Sequence, residues 1–138
     1  MTELDDQQLT YLILTAKNVP VKVIRKELSL GSHSLWVVRR SIFDALGAKT
    51  WPHAIAIAFR EGIFKVTSHE VLPSKLGEQH ATILRLISEG VPQVEQTKLV
   101  GLKMPNLRYR TTQIYKALGV TCAEEAVYEA CQTGLLEI

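Results

Sequence analysis

The chain states one pattern twice, 72 residues apart. Ile42-Phe43-Asp44-Ala45-Leu46-Gly47-Ala48 returns as Ile114-Tyr115-Lys116-Ala117-Leu118-Gly119-Val120. At the same offset, without a gap, Leu12 falls on Leu84, Val19-Pro20 on Val91-Pro92 and Leu35 on Leu107. Ala54 falls on Ala126, Ala58 on Ala130 and Gly62 on Gly134. The matches are apolar positions and chain-reversal residues, which a fold requires, while the intervening surface has diverged. Such self-similarity fixes the architecture before any single element is considered. It predicts two units, residues 1–64 and 76–138, joined by a linker over 65–75 that carries Ser68, Pro73 and Ser74. Units this small are near the lower limit for burying enough surface alone, so the two are expected to pack on each other.

Each unit reads as four helices. Leu9, Leu12, Ile13 and Ala16 recur at helical spacing after Asp5-Asp6, and acidic residues suit a helix N-terminus. Asn18, like its mate Gly90, is a residue that tolerates the left-handed conformation closing a helix. A short second helix follows Val19-Pro20 and Val91-Pro92. A break at Ser29-Leu30-Gly31 or Gly101-Leu102-Lys103 leads to a third helix of about four turns, ending at Gly47 or Gly119. The fourth opens at Thr50 or Thr121, where Thr121 and Glu124 have capping-box spacing, and closes at Gly62 or Gly134. No segment sustains the two-residue alternation of a half-buried strand. The expected fold is all-α, two tandem four-helix helix-turn-helix units packed as a pseudo-repeat.

Composition narrows the function classes. The chain is 46% hydrophobic and 22% charged with a net charge of +2, an ordinary globular balance that makes any basic surface local. Cys122 and Cys131 have no counterparts in the first unit and read as reduced thiols rather than a disulfide scaffold. His33, His53, His69 and His80 are scattered, without the close spacing of a zinc site, and read as surface or capping residues. No phosphate-binding glycine loop or nucleophile elbow occurs, so neither enzyme activity nor a cofactor is expected. The acidic start lacks a secretory apolar segment and no run approaches bilayer length, so a cytoplasmic protein without membrane contact is expected.

Two short helices with a tight turn, the second leading to a longer one, form a helix-turn-helix outline. Ile83-Leu84-Arg85-Leu86-Ile87-Ser88-Glu89-Gly90 resembles the opening helix of the LuxR/FixJ-type (GerE-like) helix-turn-helix family. Ile114 to Val120, followed by Ala126-Val127 and Gly134-Leu135-Leu136, resembles that family's closing signature. The likeness covers roughly 76–136 and, through the repeat, roughly 4–64. It departs where the family's Arg-Glu becomes Gln79-His80 and Gln7-Gln8, and where its Thr-Val becomes Asn106-Leu107 and Ser34-Leu35. The resemblance implies a transcription regulator whose third helix reads DNA and whose closing helix forms a dimer surface.

On that third helix, Leu107, Thr111, Ile114 and Leu118 share one face by their spacing. The opposite face then presents Asn106, Arg108, Tyr109, Thr112, Gln113 and Lys116, with Arg110 at its flank. Arg can pair with guanine, Asn and Gln with adenine, Lys and Thr with phosphate. An exposed helix face is polar whatever its role, and only the resemblance favours DNA here. In the first unit, burying Leu35, Val38, Ile42 and Leu46 exposes Trp36, Val37, Arg40 and Asp44. Arg39 and Arg40 are suited to phosphates, Asp44 is not, and an exposed Trp is suited to a protein interface. A helix phase one residue off would instead put Trp36 in the core.

The run Ala54-Ile55-Ala56-Ile57-Ala58-Phe59 is apolar on nearly all sides, which predicts a helix packed against the other unit or a second chain. The leading expectation is a regulator that binds double-stranded DNA through residues 103–118, as a compact pair of units or a homodimer. The alternative is an antagonist or adaptor that engages another transcription regulator through Trp36, Val37, Ile57 and Phe59.

Overall fold

The computed structural model describes residues 3–66 and 76–136, and these form eight α-helices with no strand. The protein is all-α. The first four helices are α1 (Asp6–Ala16), α2 (Val21–Leu28), α3 (Ser32–Leu46) and α4 (Trp51–Arg60). The next four are α5 (Glu78–Ser88), α6 (Gln93–Val100), α7 (Met104–Leu118) and α8 (Ala123–Thr133). Moved by 72 residues, α1, α2 and α3 coincide with α5, α6 and α7, and α4 begins where α8 begins. Residues 67–75 of the expected linker lie outside the described residues.

Chain reversals repeat as the helices do. Left-handed backbone occurs at Asn18, Ser29, Gly47 and Gly62, and again at Gly90, Gly101, Gly119 and Gly134. Ser29 closes α2 at φ 55°, a conformation in which its Cβ crowds the following carbonyl, while its mate Gly101 closes α6 at φ 71° without that penalty. Ser29→Gly is therefore expected to raise stability by about 0.5–1 kcal/mol, the strain relieved exceeding the entropy added to the unfolded chain. Urea denaturation checks this, and a lower midpoint for the variant would contradict it.

The helix starts follow the local chemistry with one correction. Asp5 caps α1 by accepting from the Gln8 backbone N–H at 2.8 Å, while Gln8 Oε1 accepts from Asp5 N at 2.9 Å. Thr50 caps α4 as expected, its Oγ1 accepting from His53 N. Thr121 does not cap α8. Cys122 holds the N-cap position, in register with Thr50, and Glu125 rather than Glu124 reaches back to the Thr121 N–H, at 3.4 Å. The 72-residue register outweighs the capping-box spacing because the packed helices set where α8 can begin.

One hydrophobic cluster runs through both units. Its centre is α4, in which every residue from Ala54 to Ala58 is buried. The apolar run finds its partner within the chain: α4 packs most extensively on α8, and also on α1, α3 and α5. Ile57, expected as a surface for another protein, is only 2% exposed and belongs to this core. Phe59 is half-buried, its ring 5.4 Å from Phe64 and 5.6 Å from Tyr128.

The contacts between units are themselves paired by the repeat. α4 meets α8, its own mate, while α1 on α8 is matched by α5 on α4. Asn18 Nδ2 donates to Thr121 Oγ1 at 2.8 Å, and the mates of these residues, Gly90 and Lys49, also meet. A Cβ added at Gly90 would lie 3.2 Å from both Lys49 Cβ and His53 Nδ1, so that approach requires glycine as well as its φ of +77°. Contacts in which i meets j and the mate of j meets the mate of i are those of an isologous dimer. Here one chain supplies both halves.

Candidate nucleic-acid interface

α7 buries Leu107, Thr111, Ile114 and Leu118 against α5, α6 and α8. The helix phase read from the sequence holds. Asn106, Arg108, Tyr109, Thr112 and Lys116 are exposed, Tyr109 by 62%. The helix carries Arg108, Arg110 and Lys116 and no acid, and Lys103 stands at its N-cap. Arg108 and Lys116 form no ion pair among the described residues. Their charges are thus unspent, and the positive end of the helix dipole adds to the potential at the N-terminal turn. Thr112 Oγ1 donates to Arg108 O at 3.0 Å, which leaves its oxygen able to accept.

The outer face is narrower than the spacing predicts. Gln113, expected on it, is half-buried, and its Oε1 lies 2.8 Å from His80 Nε2. His80 Nδ1 accepts from Gly77 N at 3.2 Å, so the proton resides on Nε2, which donates to Gln113. The mates of these two residues make the same tie: Gln8 Nε2 donates to Ser41 Oγ at 3.0 Å. Gln113 is a brace between α5 and α7. Arg110 is half-buried beside it, Nη1 3.4 Å from the same Oε1.

The corresponding face of α3 is chemically different. Trp36 is 51% and Val37 48% exposed, which excludes the core placement of Trp36. Arg39 lies 5.1 Å over the Phe43 ring and Arg40 lies 5.9 Å from the Trp36 ring centroid. Arg40 Nε is 3.8 Å from Asp44, an exposed i,i+4 pair that contributes little to stability but halves the positive charge there. α6 packs firmly on α7, whereas its mate α2 makes at most marginal contact with α3. The two helix pairs are therefore not equally consolidated.

His33 is exposed, while His53 and His80 are caps, His53 Nδ1 accepting from Lys49 N at 3.1 Å. His69 lies outside the described residues. Burial first, then the neighbouring Lys49 and Arg60 charges, holds His53 below the ordinary imidazole range, against a smaller opposing effect of Glu89. The unfolded chain then takes up the proton first as pH falls. Stability that His53 contributes is complete above the unfolded value of 6.5 and is lost on acidification below it. Thermal midpoints taken from about pH 8 down to about pH 5 should fall less for His53→Gln than for the parent. Parallel curves would remove His53 from the acid response.

Both thiols are free, and burial pushes each up, Cys131 to about 12. Among the described residues no group of three His, Cys, Asp or Glu is placed to hold a metal ion. None of their helices is long and apolar enough to cross a membrane. No family model, curated protein or solved structure matches the chain.

Proposed function

We propose that the protein is a non-enzymatic, cytoplasmic regulator of transcription that binds duplex DNA through the outer face of α7. The observation that carries this reading is a helix with three cations, no acid and an exposed set of Asn106, Arg108, Tyr109, Thr112 and Lys116. Asn106 and Arg108 supply base-edge readers, and Lys116 and Thr112 supply phosphate contacts. Arg110 flanks them. Arg39 and Arg40 of α3 offer further phosphate contacts, weakened by Asp44. The likeness to LuxR/FixJ-type units supports the assignment of α7 as the reading helix.

The test is selection from a randomised duplex pool followed by anisotropy titration at several salt concentrations. An enriched sequence bound with a steep log–log salt slope supports the reading, since each neutralised phosphate releases counterions. Weak binding without enrichment overturns it.

A second reading rests on the first unit. Trp36 and Val37 are exposed on α3, as are Val21 (58%) and Val23 (45%) on α2. This surface suits docking to another regulator; Ile57 takes no part because it is buried in the core, while Phe59 is half-buried.

A further inference from the structure

The start of the fourth helix is another position where the two units are packed differently. Trp51, the first residue of α4, has its ring 4.9 Å from both Tyr11 and Phe43. Its mate at the start of α8 is Ala123, and Phe43 is matched by Tyr115. Beside Ala123 lies an open cleft of about 260 Å³, lined by Ile87, Val91, Thr111 and Tyr115 and, from the first unit, by Thr50 and Pro52. The second unit has lost an indole and kept the space next to it.

A second substitution accompanies the first. Gln96 in the cleft wall stands where the first unit has Ile24, and both are buried. Gln96 Nε2 donates to Val91 O at 2.8 Å, while Oε1 has no hydrogen-bond partner among the described residues. A buried acceptor left unpaired costs free energy that isoleucine would avoid. Tyr115, whose phenol burial pushes up to about 12, presents a neutral hydroxyl group. None of the lining residues is ionised.

We propose that this cleft binds a neutral, planar aromatic small molecule of indole size, the Gln96 side chain turning so that Oε1, now buried behind the cleft wall, accepts one N–H from it. A dry apolar cavity of about 150 Å³ takes up benzene, so a bicyclic ring fits a space of this volume. The absence of charge among the lining residues disfavours an amino-acid zwitterion or a carboxylate. The ligand would lie against the inner side of α7, between it and the N-terminal turn of α4. The inference rests on packing and on Gln96, and is independent of the DNA reading.

The experiment is calorimetric titration of the full chain, without DNA, using indole and 1-methylindole as probes. Indole should bind saturably, one per chain, and 1-methylindole, which lacks the donor, about three- to tenfold more weakly. Gln96→Leu should abolish that difference, and Ala123→Trp, which restores the first unit's packing, should abolish binding. Ala123→Leu serves if the tryptophan variant does not fold. Absence of saturation, equal affinity for the two probes, or undiminished binding by the filled variant would overturn the proposal. So would tighter binding of N-acetyltryptophanamide, which would assign the cleft to the side chain of a protein partner.

Discussion

Exchanging Arg108 and Lys116 together for alanine should weaken duplex binding by about 2–4 kcal/mol, roughly 30- to 700-fold in Kd. On the proposed reading the larger share should belong to Arg108, because a guanidinium set against guanine would supply two directed hydrogen bonds, while an ammonium on a phosphate would supply mainly charge. The two losses should be separable. Arg108→Ala should relax the preference at one base position, whereas Lys116→Ala should weaken all sequences alike and lower the salt slope by about 1. Both side chains are exposed and free of ion pairs among the described residues, so stability should change by no more than about 0.5 kcal/mol. Unchanged affinity in the double variant would remove α7 from the interface.

Ile57→Ala should lower the stability of the whole protein by about 2–5 kcal/mol, because a buried aliphatic side chain loses both its transfer free energy and its packing partners. Ile57 is 2% exposed in the helix that joins the two units, so the loss is shared by both. Urea denaturation should show one transition with a lower midpoint and an unchanged slope. A change within about 0.5 kcal/mol would instead mark Ile57 as surface. Two separate transitions in the parent would contradict the continuous core.

The register of the repeat makes most of the fold legible in the sequence itself. Asn18 and Gly90, Gly47 and Gly119, and Gly62 and Gly134 all take the left-handed backbone that their chemistry allows. The apolar spacing of Leu107, Thr111, Ile114 and Leu118 was enough to fix the phase of α7, because a helix face is a local property. What escaped depends on neighbours distant in sequence. Ile57 is core rather than interface because α8 covers α4, and no local pattern distinguishes covering by the same chain from covering by another. Gln113 turns inward because His80 offers it a donor 33 positions away. That tie had a trace, since Gln8 and Ser41 stand at the same separation in the first unit. The cleft also had one, Trp51 opposite Ala123, which reads as a plain surface difference until packing shows what the tryptophan fills.

The pairing of α4 with α8 inside one chain changes how this protein responds to dilution. Two identical subunits joined by such a surface separate as their concentration falls, so occupancy of a two-lobed target depends on abundance. Here the second lobe is tethered at an effective concentration that dilution does not alter. A substitution in a homodimer also strikes both lobes at once. In this chain Asp44 stands on one lobe where Lys116 stands on the other, so the two halves present different surfaces.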